Sequence, residues 1–267
     1  MSPPPSLPPP SVQLIARLRA AGCVFAEEEA QLLLGATDSE TELAGMLARR
    51  VAGLPLEHVL GWAQFCGRRI VVGPGVFVPR ARTEFLVQQA VALAPPRAVV
   101  LDLCCGSGAV GFALAAEAEV AELHAADVDP AAARCARRNV DAAGGRVYQG
   151  DLFEPLPPSL RGRVQLLVAN VPYVPTDEIA LLPPEARSHE PRVALDGGSD
   201  GLDVLRRVAV AAPSWLAPGG HLLSETGRRQ TFVAAGLLVA SGLAARVATS
   251  ADGQASVVIG TRSVRPR

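Results

Sequence analysis

The sequence predicts a doubly wound α/β sheet with a small helical domain at its N-terminus and a β-hairpin between the two. Three observations lead there. Short apolar runs bounded by turn residues, clearest at Ala98-Val-Val-Leu-Asp102 and Val164-Gln-Leu-Leu-Val-Ala169, read as parallel strands buried on both faces. Stretches with helical patterning separate such runs, the alternation that builds βαβ units. The first run leads into Leu103-Cys-Cys-Gly-Ser-Gly108, a glycine turn of the kind that opens a ligand-binding helix.

Composition narrows the function classes. The chain has 267 residues, 49% of them hydrophobic, enough for one large domain or a medium domain with a small partner. Its net charge is −1, so no basic field points to a nucleic-acid or membrane partner. All 25 basic residues are arginine, the signature of a GC-rich coding bias. No apolar run approaches the roughly 18 residues of a membrane span. The Pro/Ser-rich start lacks a basic region and an apolar core, so residues 1–10 are read as a disordered tail and not a signal peptide. Cys23, Cys66, Cys104, Cys105 and Cys135 form an odd, scattered set. That suggests a reducing cytoplasm, no disulfide frame and no metal site.

The elements follow in order. Residues 11–62 predict a bundle of three short helices. The first carries an amphipathic pattern through Val12, Ile15 and Leu18. Ala26–Leu34 has acids in its first turn, and Glu40–Ala52 is capped by Asp38 or Ser39. Nothing in the bundle carries chemistry, and its expected role is to dock a partner or brace the main domain. Residues 63–82 hold two β-prone runs, Gln64–Val72 and Gly73–Arg80, expected to pair as a linking hairpin. Thr83 is expected to cap a helix over Glu84–Ala94. Residues 83–267 then supply the sheet domain. Its strands are expected at Ala98–Asp102, Glu122–Asp127, Arg146–Asp151, Val164–Ala169 and His221–Glu225. Its helices are expected at Ala109–Ala118, Pro130–Ala142, Asp203–Leu216 and Thr231–Gly242, the third stopped by Pro218-Gly219-Gly220. Ala244–Thr249 and Ala255–Thr261 close the chain as a hairpin around Asp252-Gly253.

Asn170-Val171-Pro172-Tyr173 follows the Val164–Ala169 strand, where open α/β sheets bind ligands. Pro172 cannot donate to a ladder, so the strand stops there, and Val171 before it is held extended. The result is a stiff stretch presenting an amide, backbone carbonyls and an aromatic ring. The glycine turn matches G-x-G-x-x-G through Gly106, Gly108 and Gly111, with Asp127 lying 19 residues after Gly108. That spacing invites a dinucleotide. Asp102 argues against it, because a carboxylate there would repel a pyrophosphate at the helix N-terminus. It suits a cationic ligand such as S-adenosylmethionine. Asp127 can then take ribose hydroxyls, Asp151 the adenine amino group, and Leu152 the adenine face. Each acid alone reads equally well as a cap or a solvated loop residue; three in register after three strands carry the reading. Cys104 and Cys105 read as small packing residues in a tight turn. His58, His124 and His221 read as structural, while His189 lies in the long loop after Tyr173 and could approach the site.

These residues together resemble the HemK/PrmC family of protein-(glutamine-N5) methyltransferases. Asp102-Leu-Cys-Cys-Gly-Ser-Gly108 stands where that family has D-L-G-[TC]-G-[TS]-G. Ala126-Asp-Val-Asp-Pro130 with Arg138-Asn139, and Gln149-Gly-Asp-Leu-Phe153, match its second and third motifs. Asn170-Val-Pro-Tyr173 matches N-P-P-Y, and Ser188-His-Glu-Pro-Arg192 with Ala194-Leu-Asp-Gly-Gly198 to Gly201 matches its F-E-P and D-G loops. Pro55–Gly61 and Val78-Pro-Arg80 with Thr83-Glu84 match its linker motifs. Four departures mark a divergent member: Val171 for proline, Arg80-Ala-Arg-Thr-Glu84 for R-P-D-T-E, Cys104 for glycine and His189 for phenylalanine.

The resemblance implies a class I S-adenosylmethionine-dependent methyltransferase. The cofactor would be held by Asp102, Cys104, Cys105, Gly106, Ser107, Gly108, Asp127, Asp151, Leu152 and Asn170. The reaction would be carried by Asn170, Val171, Pro172 and Tyr173. The implied substrate is a glutamine side chain in a protein, the Gly-Gly-Gln loop of peptide-chain release factors, with Arg80 and Glu84 near the cleft. A monomer is expected, with no stable nucleic-acid partner, no membrane and no metal. Chemistry agrees: an amide nitrogen is a poor nucleophile, its lone pair delocalised into the carbonyl. The Asn170 side-chain oxygen and the Val171 carbonyl can grip both N–H bonds and aim that lone pair. Two other classes stay open: methylation of an exocyclic amine of a nucleic-acid base, which lacks a basic surface here, and a non-catalytic binding protein.

Overall fold

The computed structural model describes residues 10–264. The tail expected over residues 1–10 lies outside them except for Pro10, which opens the first helix. Helices α1 (Pro10–Ala20), α2 (Ala26–Leu34) and α3 (Glu40–Val51) pack through Leu14, Leu18, Ala30, Leu33, Met46 and Leu47. Ser39 caps α3, accepting the Glu42 N–H at 3.3 Å. A further turn of helix, α4 (Leu56–Leu60), follows Pro55 and stops at Gly61, whose φ is 81°.

The hairpin differs from the expected one. Strand β1 (Trp62–Phe65) begins two residues before the first β-prone run and ends within it, and β2 (Arg68–Val71) lies wholly inside that run. They turn at Cys66-Gly67, with φ of 47° and 67°, the backbone a two-residue hairpin turn demands. Residues 73–80 form no strand; Val76 and Val78 are buried in a cluster with Cys135. Thr83 is not a cap either. Its backbone is already helical (φ −70°, ψ −15°), whereas a capping residue needs non-helical dihedrals, and its buried Oγ1 has no partner among the described residues.

Helix α5 (Glu84–Val91) leads into the sheet domain. In chain order this holds β3 (Ala98–Leu103), α6 (Ala109–Glu117), β4 (Val120–Asp127), α7 (Pro130–Val140), β5 (Arg146–Gln149) and β6 (Val164–Ala169). A long connection containing α8 (Pro184–His189) precedes α9 (Asp203–Trp215), β7 (Leu216–Glu225), α10 (Thr231–Ala240), β8 (Ala244–Thr249) and β9 (Ser256–Thr261). The sheet order is β5-β4-β3-β6-β7-β9-β8, parallel from β5 to β7 and antiparallel at β9. Every residue of β3 is buried, because one apolar layer forms with α5, α6 and α7 and another with α9 and α10. Strand β7 starts directly after α9, so the expected helix stop Pro218-Gly219-Gly220 lies within it. A Cβ at Gly220 would stand 2.6 Å from the Val164 carbonyl, so only glycine fits beside β6 there.

The chain runs outward from β3 to β5, then returns to place β6 on the other side of β3. The carboxyl ends of β3 and β6 therefore form a topological switch point, with Asp102 paired to Val168 and Leu103 to Ala169. Asn139, on α7, ties the hairpin to this edge. Its Nδ2 donates to Val71 O (2.9 Å) and Ser107 O (2.8 Å), and its Oδ1 accepts the Val71 N–H (3.0 Å). Asn139→Ala leaves those buried groups short of partners and is expected to cost about 2 kcal/mol. The check is a lower urea midpoint with an unchanged slope.

Candidate active site

A cavity of about 630 Å³ opens at the switch point. Asp102, Cys104, Cys105, Gly106, Ser107, Asp127, Asp151, Leu152, Asn170, Val171, Pro172 and Tyr173 all line it. Gly108 does not. It stands at the start of α6 with φ 76°, and a Cβ there would come 2.7 Å from Val140 Cγ2, so it permits close packing of α6 on α7.

Carboxylates build the floor, Asp102 buried and Asp127 and Asp151 half-buried. Asp102 is 1% exposed and accepts the Gly111 N–H at 2.9 Å. Burial pushes its carboxyl up to about 7, against the pull of the Gly111 bond, with the neighbouring Asp127 adding to the rise. Asp127 shapes the glycine turn, accepting the Gly106 N–H (2.8 Å) on one oxygen and the Asp129 N–H (2.9 Å) on the other. Burial raises it too. Each of its oxygens keeps a second lone pair for a ligand. Asp151 pairs with Arg207 of α9 at 2.5 Å, a cation the sequence reading did not place there. Leu152 sits beside it with φ 48°. Cys104 has φ 53°, a left-handed backbone that costs a side-chain-bearing residue about 1 kcal/mol and that the glycine of the resembled motif adopts freely. Burial, then the acids around them, holds both the Cys104 and Cys105 thiols protonated, so neither is a nucleophile.

The wall above is Asn170–Tyr173. The Asn170 Oδ1 is buried and has no hydrogen-bond partner among the described residues. Val171 and Pro172 are buried, Val171 within the main apolar core. The Tyr173 hydroxyl donates to Glu225 Oε1 (2.9 Å) and accepts from Arg82 Nη2 (2.6 Å), while its carbonyl accepts from Gln230 Nε2 (2.9 Å). Burial and then the Glu225 charge raise the phenol, which stays protonated. Backbone supports the stretch from below: a Cβ at Gly197 would lie 2.6 Å from the Pro172 carbonyl, and one at Gly201 would lie 2.2 Å from that of Tyr173.

Arg80, Arg82, Glu190 and Arg207 line the cavity and Glu225 stands just behind it; of these the sequence placed only Arg80 near the cleft. Arg80 Nη2 reaches both oxygens of Glu190 at 2.6 Å, and Glu190 also accepts the Val78 N–H at 3.2 Å. The Glu190-Pro191 pair was the visible signal for that residue. Two expectations fail. Glu84 lies outside the cavity, because its carboxylate accepts the Cys66 N–H at 2.8 Å and closes the hairpin turn. His189 also lies outside; its Nε2 faces Gly53 of the helical domain. The structural histidines are bonded as expected, His58 to Val76 O (2.8 Å), His124 to the Tyr148 hydroxyl (3.1 Å) and His221 to Thr261 Oγ1 (2.9 Å). Among the described residues no acid, histidine and cysteine cluster could hold a metal, and no helix is long and apolar enough to cross a membrane.

Known proteins that this chain resembles are methyltransferases. The family model "Methyltransferase small domain" matches residues 68–181. A solved methyltransferase from Pyrococcus furiosus aligns with TM-score 0.57 and 16% identity over 82% of this chain and 99% of its own, a likeness of fold. A 4-amino-L-phenylalanine/4-methylamino-L-phenylalanine methyltransferase from Streptomyces pristinaespiralis is 37% identical over 223 residues, 77% of this chain and 75% of that protein. A release factor glutamine methyltransferase from Geobacter sulfurreducens is 44% identical over 200 residues, 74% of this chain and 69% of that protein. The chain belongs to the release factor glutamine methyltransferase family.

Proposed function

We propose that the protein transfers a methyl group from S-adenosylmethionine to the side-chain nitrogen of a glutamine, and that this glutamine lies in the Gly-Gly-Gln loop of a peptide-chain release factor. The observation that carries the reading is the orphaned Asn170 Oδ1. A buried amide oxygen without a donor costs about 1–3 kcal/mol, and a substrate N–H would relieve that cost. The names of the related proteins supply the substrate class.

The residues present fit the cofactor. Asp102 and Asp127 offer carboxylates to a cationic nucleoside, the glycine turn gives close backbone approach, and the cavity has the volume such a ligand needs. When bound, S-adenosylmethionine supplies an electrophilic methyl group. Asp127 would hold ribose hydroxyls with its free lone pairs, and Leu152 would cover the base. Asp151, already paired with Arg207, keeps Oδ1 for the base amino group. Asn170 Oδ1 accepts one N–H of the glutamine amide and the Val171 carbonyl accepts the other. Their pull would favour positive charge on nitrogen as its bond to the methyl carbon forms and the methyl–sulfur bond breaks; the sulfur would keep that electron pair, and the spare proton would pass to solvent. Pro172 and Tyr173 wall the amide in and keep competing water away. The work is positioning and electrostatics, with no covalent enzyme intermediate.

The direct test offers labelled S-adenosylmethionine with release factors carrying Gly-Gly-Gln or Gly-Gly-Ala loops, beside DNA and free 4-amino-L-phenylalanine. Label on Gly-Gly-Gln alone is expected, with Asn170→Ala lowering kcat about 100-fold or more. Label on DNA or on the arylamine instead would move the enzyme to a different substrate class. A second expectation comes from Asp102. Its carboxyl stands near 7, so the charged form that a cationic cofactor prefers grows as pH rises. Affinity for S-adenosylmethionine should therefore strengthen several-fold from pH 6 to pH 8 and then level off, with proton release on binding. Calorimetry of Asp102→Asn should show weaker binding and no such slope.

A further inference from the structure

The ring of Tyr173 is held at its far end by two groups that come from distant parts of the chain. Glu225, at the end of β7, has a side chain only 3% exposed. Its Oε1 receives the Tyr173 O–H at 2.9 Å and the Arg82 Nε–H at 3.0 Å, while Arg82 Nη2 donates to the Tyr173 oxygen at 2.6 Å. Three groups thus close a ring of charge-assisted bonds, and Arg82 supplies two of its three donors. Both Arg82 and Tyr173 line the cavity; Glu225 stands behind them.

We propose that Arg82 is a positioning residue for methyl transfer, which fixes the Tyr173 wall against which the substrate amide is aligned; this rests on the reading under Proposed function. Arg82 belongs to the linker between the hairpin and α5, where the chain departs from the resembled R-P-D-T-E pattern. An acid at this place could make none of these bonds and would face Glu225 with like charge. Without Arg82, the Tyr173 hydroxyl would be the sole partner of Oε1 on a carboxylate whose Oε2 already has none. The hydrogen-bonded triangle would open and the ring would lose its anchor, which changes the wall. The backbone of Tyr173 would stay in place through Gln230 and Gly201, so the effect is confined to the ring. Arg82 does this through Tyr173, without touching the reacting atoms. Its side chain is 47% exposed, so the rival role is direct contact with the protein substrate, which would appear in KM.

The experiment compares Arg82→Gln, Arg82→Lys, Tyr173→Phe and the Arg82→Gln/Tyr173→Phe double variant of the full chain with a Gly-Gly-Gln release factor. Arg82→Gln should lower kcat about tenfold with KM and S-adenosylhomocysteine affinity unchanged. Arg82→Lys should recover part of the loss, and Arg82→Gln should cost nothing further once Tyr173 is Phe. A change in KM alone, or an equal loss in the Phe background, overturns the proposal. A second readout needs no substrate. The chain has two tyrosines, Tyr148 and Tyr173, so ring-labelled tyrosine gives two Cζ resonances by NMR. Arg82→Gln should move that of Tyr173 and leave that of Tyr148; an unmoved Tyr173 signal overturns the proposal. A wild-type protein that leaves Gly-Gly-Gln unlabelled would count against the proposed function alone, and the spectrum would then decide whether Arg82 holds Tyr173.

Discussion

The register between β3 and β6 is the constraint on which the site depends. Pairing Asp102 with Val168 and Leu103 with Ala169 brings the two strands to their ends together. Each strand then releases its functional group into the same space: the glycine turn from β3, and Asn170 from β6. A one-residue slip would turn every side chain of β6 to the other face. Leu166 and Val168 fill one apolar layer while Leu167 and Ala169 fill the other, so a slip would exchange side chains of different size between two close-packed layers. The Ser224 hydroxyl adds a lock at the same level, donating to the Ala169 carbonyl at 2.7 Å.

Around this edge, polar groups are satisfied by distant elements. Asn139 binds the turn to the hairpin, Gly111 steadies Asp102, and the Gly197–Gly201 segment lies directly beneath Pro172 and Tyr173. The helical domain is tied in as well. Arg50 grips the buried Glu29 at 2.6 Å and reaches Glu185 of α8 at 2.6 Å, a residue on the rim of the cavity. A rigid scaffold of this kind is what a reaction based on positioning requires, because the nucleophile is weak and nothing else activates it. Among the buried polar atoms left without a partner, the Asn170 oxygen lies where the proposed chemistry would use it.

Much of this was legible from sequence because it is local. A buried strand followed by a glycine turn, an acid at each strand end and a proline-terminated stretch after β6 are short patterns with direct physical consequences. What stayed hidden is what folding brings from afar. Arg82 and Glu225 are 143 residues apart, Arg80 and Glu190 are 110 apart, and Asp151 and Arg207 are 56 apart. No local pattern announces such pairs. The hairpin was misplaced for a different reason: both β-prone runs had suitable residues, and the positive φ of Cys66, not a propensity, selected the turn. Helix α4 spans five residues, too few for a period to show. Thr83 has a capping side chain but a backbone already inside the helical region, which sequence does not reveal.

The central claim is that the wall after β6 reads two N–H donors on a side-chain amide. Competition binding to the S-adenosylhomocysteine complex tests it most directly, using release factors whose target residue is glutamine or glutamate. Glutamate has the same length and no N–H to give. The account predicts at least about tenfold weaker binding for the glutamate form, the scale of two lost hydrogen bonds and an unpaired carboxylate facing Asn170 and Val171. Equal affinity for the two would contradict it, because the amide would then not be what the site recognises.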